Sequence, residues 1–219
     1  MASAATAILL DLDGVLVDSR TAISRSINYA LAEQGFPQPS LTSLERFIGP
    51  QLTLAFAELT GHPPDSSVVL ACLASYRARY RDASLRETTV VDGIPAVLGE
   101  LSGQHRLAVA TSKPLAFAEP LLVALDLRDA LDHVAAPDLG AHHEDKAATI
   151  HSALNALGTQ RAVMVGDRSF DIIGAHACAI RAIGVSWGIG TRNELADANA
   201  DRIVGEPGEL PGVVSDLLA

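Results

Sequence analysis

Two acidic residues follow an apolar stretch near the beginning of the chain. Residues 8–10 are Ile-Leu-Leu, and Asp11, Asp13 and Gly14 follow closely. A short apolar run of this kind predicts a strand buried on both faces, whose carboxyl end releases the two carboxylates into a turn. A buried carboxylate is costly unless it is paired or bound to a metal. The pattern therefore predicts a cation between Asp11 and Asp13, and the alternative is that both residues only begin a loop.

Two later apolar runs also end in polar side chains. Thr111 follows the run 107–110, and Asp167 follows the run 162–166. The carboxyl ends of parallel strands meet at one edge of a sheet, and ligands bind at that edge in open α/β sheets. We therefore expect Asp11, Thr111 and Asp167 to lie together. The alternative for Thr111 is that it only caps the helix that follows.

A second acid and a lysine accompany Asp167. Asp171 lies four residues further on, where a strand passes into a helix, and Gly166 leaves room for a close backbone approach. Lys146 stands at the start of the preceding helix. An all-oxygen set with few protein ligands favours Mg²⁺, which would neutralise the carboxylates. The alternatives are that Lys146 is a surface lysine and that Asp171 is an acid favoured by the helix dipole.

The hydrophobic pattern divides the chain into a helical block and an alternating block. From about residue 16 to 86, apolar residues recur at helical spacing, and no strand is expected there. From Thr89 onward, short apolar runs alternate with helical segments. Repeated βα units predict a parallel, doubly wound sheet with right-handed crossovers. We therefore predict an α/β core domain of residues 1–15 and 87–219, with residues 16–86 inserted as an all-helical cap domain.

Two local expectations concern the helical block. Thr42, with Glu45 three residues later, has the form of a capping box and predicts a helix start. Helical spacing returns at Val68 and predicts a helix that continues to about Tyr80.

The overall composition narrows the class of protein. Among 219 residues, 26 acidic side chains outnumber 16 basic ones, the net charge is −10, and no segment is dominated by Lys and Arg. This argues against nucleic acid or an anionic membrane surface as a partner. No apolar run approaches the roughly 18 residues of a membrane span, and no basic residue precedes Arg20, so we expect a cytoplasmic location. Cys72 and Cys178 are isolated and are expected to be buried free thiols.

Four segments together resemble the ordered motifs of the haloacid dehalogenase superfamily. The branch that the chain most resembles is that of phosphoglycolate phosphatase and its relatives, which have a Rossmann-like core and a helical cap between the first two motifs. The matching segments are 11–19 (Asp-Leu-Asp-Gly-Val-Leu-Val-Asp-Ser), 111–114 (Thr-Ser-Lys-Pro), Lys146, and 166–172 (Gly-Asp-Arg-Ser-Phe-Asp-Ile).

The resemblance implies a role for each catalytic candidate. Asp11 would attack phosphorus and form an aspartyl-phosphate. Asp13 would protonate the leaving oxygen and then take a proton from the attacking water. Thr111 would hydrogen-bond a phosphoryl oxygen, assisted by the backbone N–H of Ser112, and Lys146 would offset negative charge on the phosphate and on Asp11.

The same resemblance implies a magnesium site. Mg²⁺ would lie between Asp11, the carbonyl oxygen of Asp13 and Asp167, while Asp171 would hold a metal-bound water. The implied partner is a small-molecule phosphate ester, and the oligomeric expectation is a monomer or a homodimer.

The cap is expected to determine the substrate, because in capped relatives it closes over the site. Gly49 and Gln51 lie in the loop that breaks two helices and are candidates for substrate contact. The segment 76–81 carries three arginines and two tyrosines that could bind a second anionic group, although their helical spacing directs most of them to solvent.

A lysine after the second motif and a run of histidines and acids are both expected to lie outside the site. Lys113 follows the second motif and is predicted to be solvated, the alternative being that it approaches the substrate. The run His142-His143-Glu144-Asp145 has the composition of a metal cluster, but adjacent side chains diverge, so we predict a loop.

The sequence therefore predicts a Mg²⁺-dependent phosphatase that hydrolyses a small-molecule phosphate monoester. A nucleotide 5′-phosphatase and a phosphosugar phosphatase of the same fold stay open as alternatives. Asp13 disfavours a dehalogenase, which has no phosphate leaving group to protonate, and Asp18-Ser19-Arg20 departs from the phosphomutase pattern. A receiver-type signalling domain would leave both Asp13 and the helical block unexplained.

Overall fold

The computed structural model describes residues 6–140 and 145–219, and the chain falls into two compact units. One unit joins Met1–Asp18 to Val90–Ala219, and the other is Ser19–Thr89. The divisions therefore lie after Asp18 and Thr89, whereas the sequence placed them after residues 15 and 86.

The described residues form helices in the smaller unit, whereas strands and helices alternate through most of the larger unit. The strands are β1 (Ala7–Leu10), β2 (Val17–Asp18), β3 (Thr89–Val90), β4 (Arg106–Ala110), β5 (His133–Ala135), β6 (Ala162–Gly166), β7 (Arg181–Val185) and β8 (Arg202–Val204). The helices are α1 (Arg20–Glu33), α2 (Leu41–Leu44), α3 (Leu52–Thr60), α4 (Ser67–Glu87), α5 (Ile94–Ser102), α6 (Leu115–Ala124), α7 (Lys146–Leu157), α8 (Ser169–Ala177), α9 (Arg192–Asp197) and α10 (Leu210–Leu218).

In the part of the chain that the structure describes, one six-stranded sheet has the order β5-β4-β1-β6-β7-β8. Every neighbouring pair is parallel. This is the doubly wound α/β sheet that the alternating pattern predicts. Leu10 of β1 faces Val109 of β4 on one side and Val165 of β6 on the other. The residues that follow these three strands therefore emerge at the same edge of the sheet.

The side chains of β1 alternate between two apolar layers. Ile8 and Leu10 belong to the core layer that also contains buried residues of α5, α6 and α10. Ala7 and Leu9 belong to the layer that contains buried residues of α7, α8 and α9. A strand covered on both faces has to be apolar throughout, which explains the unbroken run at the start of the chain.

Two matched ion pairs stabilise the opposite, amino-terminal edge of the sheet. The Arg106 Nε donates to Asp132 Oδ1 at 2.8 Å, and the Arg181 Nη1 donates to Asp201 Oδ1 at 2.5 Å. In each case the other carboxylate oxygen accepts the backbone N–H of the residue after the arginine, at 2.9 Å. Each aspartate immediately precedes its strand, so each pair links the starts of two neighbouring strands.

The smaller unit is a helical assembly in which α1 packs against α4. Its core includes Ile27 and Leu31 of α1 and the aromatic pair Tyr76 and Tyr80 of α4, whose rings stack at 5.2 Å between centroids. The ring of Phe56 on α3 meets Tyr76 edge to face. These aromatic contacts bury apolar surface between the short helix α3 and α4.

Three local predictions about the inserted block were wrong. Val17–Asp18 forms the short strand β2, because the buried apolar run continues beyond residue 16. Ser40, rather than Thr42, caps α2 by accepting the N–H of Ser43 at 3.3 Å. Helix α4 continues to Glu87 rather than ending near Tyr80, and its last two turns bury Ala83 and Ser84.

The two cysteines differ in burial. Both are free thiols, as predicted, and Cys72 is buried, but Cys178 is only half-buried, where its Sγ contacts the carbonyl of Ala147 at 3.3 Å. Among the helices that the structure describes, none combines the length and the apolar character needed to cross a membrane.

Candidate active site

Asp11 lies at the carboxyl end of β1, between the ends of β4 and β6. Its backbone N–H donates to the carbonyl of Val165 at 2.9 Å, which extends the parallel ladder one residue beyond the strand. The side chain is buried, and Lys146 Nζ donates to its Oδ1 at 2.7 Å. Desolvation by burial raises the pKa of Asp11 to about 6, because the nearby charges of Asp171 and Asp13 add to it and Lys146 opposes it only in part.

The ammonium group of Lys146 bridges two carboxylates. It lies 2.7 Å from Asp11 Oδ1 and 2.8 Å from Asp171 Oδ1, and the lysine side chain is only 2% exposed. Burial by itself would lower the pKa of Lys146, but the charges of Asp11 and Asp171 and the hydrogen bonds to them raise it above its ordinary value. The group is therefore a permanent positive charge at the site, and the surface-lysine alternative is wrong.

The start of α7 fixes the backbone of Lys146. Asp145 is the residue before the helix, and its Oδ1 accepts the N–H of Ala148 at 2.9 Å. This cap sets Lys146 as the first residue of α7, so that its side chain leads from the helix into the site. The segment 142–144, predicted to be a loop, lies outside the described residues.

Glycines surround the fully buried Asp167, which follows β6. A Cβ atom on Gly14 or on Gly188 would lie 2.2 Å or 2.4 Å from Asp167 Oδ2, and one on Gly190 would lie 1.9 Å from its backbone oxygen. The Oδ2 atom accepts the backbone N–H of Ile189 at 2.7 Å. Oδ1 is buried and has no hydrogen-bond partner within the described ranges. The surrounding backbone thus fixes Oδ2 of Asp167, whereas Oδ1 has no partner in the described structure and could bind a cation.

Burial and neighbouring carboxylates change the pKa of Asp167. Desolvation by burial, followed by the charges of Asp171 and Asp11, raises the pKa of Asp167 well above its ordinary value. The hydrogen bond from Ile189 and the charge of Arg168 oppose this shift. A carboxylate in this position gains stability from a bound cation.

Asp171 occupies the first turn of α8, directly beside the end of β6. A Cβ atom on Gly166 would lie 2.2 Å from Asp171 Cβ, so only glycine permits this approach. Oδ2 of Asp171 accepts the backbone N–H of Arg168 at 3.0 Å, and Oδ1 pairs with Lys146. Asp171 therefore both caps its helix and faces the cluster, so that the two interpretations of this residue are compatible.

The acidic cluster fits a divalent cation. Asp11, Asp167 and Asp171 each offer a carboxylate oxygen, and the three oxygens lie within 4.8 Å of one another. All three residues are buried, and Asp167 Oδ1 has no hydrogen-bond partner in residues 6–140 and 145–219. Oxygen-only ligands of this kind suit Mg²⁺. The residues present therefore meet the requirements of a magnesium site.

Asp13 interacts with a lysine that the sequence interpretation placed in solvent. Lys113 Nζ lies 3.0 Å from Asp13 Oδ2, and the two side chains are 3% and 14% exposed. The prediction that Lys113 is solvated was wrong. The segment after β4 turns the side chain inward, because the backbone N–H of Lys113 donates to Thr111 Oγ1 at 3.2 Å.

Thr111 follows β4 and is buried beside β1. Its N–H donates to the carbonyl of Ala135 at 3.0 Å, while its hydroxyl accepts from Lys113. Pro114 is the residue before α6, so Thr111 is not the cap of that helix. Ser112 is half-buried in the same turn. Both residues are thus at the edge of the sheet where Asp11 lies.

The cap candidates belong to the smaller unit. Gly49 is exposed with φ +99°, and Gln51 immediately precedes α3. Their contact with a substrate stays a prediction. Arg46 nearby pairs with Glu58.

The alternative of a second anion site on α4 is disfavoured for three of its five side chains, and these three do not point to solvent as expected. Tyr76 and Tyr80 are buried in the core of the smaller unit, and Arg79 donates to Ser26 Oγ at 2.7 Å and to Glu87 Oε1 at 2.8 Å. These three side chains are therefore used by the helical assembly itself.

Sequence reasoning identified Lys146 but missed the burial of Lys113 and the loop after β7. Lys113 and Lys146 are the only lysines of the chain, while every other basic residue among the 16 is arginine, and this contrast was a usable signal. The loop 186–191 after β7, which supplies Ile189 and two glycines to Asp167, carried a weaker signal in its repeated glycines.

The chain is similar to known proteins over nearly its whole length. Residues 8–185 match the family model of haloacid dehalogenase-like hydrolases. A 5′-nucleotidase of Pseudomonas aeruginosa is 37% identical over 191 residues, 86% of each chain. A plasmid-encoded phosphoglycolate phosphatase of Cupriavidus necator is 32% identical, covering 96% of this chain and 93% of its own. A crystal structure described as a predicted phosphatase from Clostridium acetobutylicum superposes with a TM-score of 0.90 at 33% identity, covering 98% and 100% of the two chains.

The chain belongs to the haloacid dehalogenase-like hydrolase family. The family match and the phosphatases among its relatives indicate a phosphoric monoester hydrolase. In this chain, the acidic cluster and the two lysines lie at one edge of the parallel sheet.

Proposed function

We propose that the chain is a Mg²⁺-dependent phosphatase that hydrolyses a small-molecule phosphate monoester through an aspartyl-phosphate on Asp11. The observation that carries the proposal is the carboxylate of Asp11, held at the end of a central strand by a buried lysine and next to two further buried carboxylates. A carboxylate that only stabilised the fold would not need to be gathered with like charges in this way.

The proposed reaction has two displacement steps. In the first, the Asp11 carboxylate attacks phosphorus, and Asp13 gives its proton to the leaving oxygen. In the second, water attacks phosphorus, Asp13 takes the proton, and the bond to Asp11 breaks. The products are an alcohol and inorganic phosphate, and both aspartates return to their starting states.

Charge stabilisation is assigned to three groups beside Asp11. Lys146, already paired with Asp11 at 2.7 Å, offsets charge on the phosphoryl oxygens. The Thr111 hydroxyl and the backbone N–H of Ser112 donate to those oxygens. All three belong to segments at the carboxyl edge of the sheet.

The metal ligands are assigned from the same cluster. Asp11, the Asp13 carbonyl oxygen and Asp167 would hold Mg²⁺, and Asp171 would act through a bound water. The double engagement of Asp171 by Lys146 and by the Arg168 N–H supports this indirect role. When bound, the ion supplies positive charge that offsets the charge of the phosphate and of the carboxylates.

The substrate class has two candidates. Similarity to a phosphoglycolate phosphatase over 96% of the chain favours a small phosphorylated acid. The 37% identity to a 5′-nucleotidase favours a nucleoside monophosphate, which we keep as the second candidate.

The experiment is phosphate release from a panel of phosphoglycolate, nucleoside 5′-monophosphates, sugar phosphates and an aryl phosphate, with Mg²⁺ and with chelator. Metal-dependent turnover concentrated on one member would support the proposal and name the substrate class. Absence of turnover on every member by the folded, magnesium-loaded protein would overturn it. A stable acyl-phosphate would then favour a phosphoryl-accepting module.

A further inference from the structure

The ion pair between Lys113 and Asp13 has no part in the scheme above, although the lysine is buried and the aspartate is half-buried. Lys113 Nζ lies 3.0 Å from Asp13 Oδ2, and the lysine side chain is 3% exposed. Lysine normally keeps its ammonium in water by extending its flexible stem. Burial of this group requires a specific partner, and the carboxylate of Asp13 provides it.

The backbone on both sides fixes the pair. Gly14, with φ +87°, lets its N–H donate to the carbonyl of Val17 at 2.8 Å, which closes the turn that carries Asp13. On the other side, the N–H of Lys113 donates to Thr111 Oγ1. The next residue is Pro114, whose ring restricts its own φ angle. The pair therefore connects the turn after β1 to the turn after β4.

The two lysines form ion pairs with different carboxylates of the site. Lys146 pairs with Asp11 and Asp171, and Lys113 pairs with Asp13. The bond to Lys113 occupies Oδ2 of Asp13, whereas Oδ1 has no hydrogen-bond partner among the residues described. Oδ2 of Asp13 is thus held by Lys113, and Oδ1, which is buried, is the oxygen that has no partner in the described structure.

We propose that Lys113 is a positioning residue for Asp13. It holds Oδ2 as a hydrogen-bond acceptor, so that Oδ1 is the oxygen that exchanges the proton with the leaving group and later with water. This inference rests on the proposed function.

The assignment is consistent with both protonation states of Asp13. In the acid, the proton is on Oδ1 and the carbonyl-like Oδ2 still accepts from the ammonium. When the phosphorus–oxygen bond of the ester breaks, that proton passes to the leaving oxygen as the bond between Asp11 and phosphorus forms. In the second step, water gives a proton back to Oδ1, and Lys113 keeps its own proton throughout.

A pair of aryl phosphates tests this role. Phenyl phosphate and p-nitrophenyl phosphate present the same ring, but phenolate is the more basic leaving group and depends more on protonation. The measured quantity is kcat/KM with saturating Mg²⁺, because it reports the step in which the leaving group departs. For Lys113→Met, we expect a loss on the order of 100-fold with phenyl phosphate and less than about threefold with p-nitrophenyl phosphate. Equal losses with both esters would overturn the proposal, since a structural or phosphate-binding lysine would affect them alike.

A double-mutant cycle supplies the second readout. If Lys113 acts through Asp13, then adding Lys113→Met to Asp13→Asn changes kcat/KM for phenyl phosphate by less than about threefold. A further large loss in the double variant would contradict the proposal. Should Lys113→Met fail to fold, as judged by thermal unfolding, Lys113→Gln is measured with the same two esters and the same two criteria.

The wild-type protein separates this inference from the proposed function. Metal-dependent hydrolysis of p-nitrophenyl phosphate by the wild type, with equal losses in the lysine variant, would refute the role of Lys113 alone. Lack of any hydrolysis by the wild type would refute the proposed function, and the inference with it.

Discussion

Buried charge is the defining feature of this chain at the scale of single residues. Asp11, Asp167 and Asp171 are all buried, and the ammonium groups of Lys113 and Lys146 are buried with them. Groups of this kind are costly to desolvate, and mutual pairing compensates only part of that cost. Their concentration at one sheet edge therefore points to a reaction that uses them, as perturbed ionisable groups in active sites generally do.

The burial of both lysines leads to a labelling prediction. Because the two side chains are 3% and 2% exposed, an amine-specific reagent should leave Lys113 and Lys146 unmodified in the native chain. After unfolding in denaturant, both lysines should be modified. Peptide mass spectrometry before and after unfolding measures this directly, and the unfolded sample is its own control. Rapid labelling of either lysine in the native protein would show that the side chain reaches water.

The residue scale is also where sequence reasoning was least complete. The motif residues could be placed at the sheet edge, because the apolar runs before them identify the strands that carry them. The direction of Lys113 could not be predicted, since it depends on a hydrogen bond from its backbone N–H to Thr111 and on the position of Asp13 across the sheet. The contact with Asp13 joins segments about 100 residues apart in the sequence.

At the scale of elements, glycines allow strands and helices to bring carboxylates together. Gly166 ends β6, and a side chain at this position would overlap Asp171 in the first turn of α8. Gly14 and Gly188 permit a similar approach to Asp167. The close contact of backbone and acidic side chains is thus built into the turns that follow β1, β6 and β7.

A pair of glycine variants tests this arrangement. In Gly166→Ala, the added Cβ would lie 2.2 Å from Asp171 Cβ, so we expect a loss of about 1–3 kcal/mol in the free energy of unfolding and a weaker response to Mg²⁺. The matched control is Gly99→Ala in α5, where no atom lies within 4 Å of the added group and the helix should gain roughly 0.5–1 kcal/mol. Denaturant unfolding with and without Mg²⁺ gives both quantities. Equal stability changes in the two variants would contradict the role of Gly166.

The ends of the strands could be predicted from the sequence more accurately than the ends of the helices. The six strands of the main sheet agree with their apolar runs to within about a residue, because a strand covered by helices on both faces is apolar along its buried part. The end of α4 was placed too early, since its last turns alternate charged and small residues and carry little periodic signal. Ser40 and Thr42 are both good caps, and only the backbone decides between them.

At the scale of the whole molecule, protons and a divalent cation compete for the same carboxylates. The pKa of Asp11 is raised to about 6 in the folded protein, compared with about 3.9 for an unperturbed aspartate. A raised carboxyl pKa means that the folded state binds the proton more tightly than the unfolded state does. Its contribution to stability is therefore present at low pH and is lost as the pH rises from about 4 to above 6. The raised pKa of Asp167 acts in the same direction.

This competition predicts a pH-dependent stabilisation by Mg²⁺. At pH 7.5, above the pKa of about 6 of Asp11, a bound cation relieves the repulsion between Asp11 and its acidic neighbours, whereas at pH 5 the cation has to displace the proton of Asp11. At a concentration of 100 times Kd, the stabilisation should be about 2.7 kcal/mol, or an increase in Tm of roughly 5–10 °C at pH 7.5, and clearly less at pH 5.

Thermal unfolding at the two pH values, with Mg²⁺ or with chelator, measures the difference. Asp167→Asn is the control, because it removes the carboxylate whose Oδ1 has no hydrogen-bond partner in the described structure. Equal increments at both pH values, or an undiminished increment in the variant, would argue against a magnesium site in this cluster.

The most direct test of the proposed mechanism is the rate of phosphate release by Asp11→Asn. The substitution keeps the size of the side chain but removes the nucleophilic oxygen charge, while Lys146, Asp13 and Asp167 are left in place. With the best ester of the panel and saturating Mg²⁺, we expect kcat to fall by a factor on the order of 10³ or more, in a variant that still unfolds cooperatively. A variant that kept most of the wild-type rate would contradict covalent catalysis by Asp11.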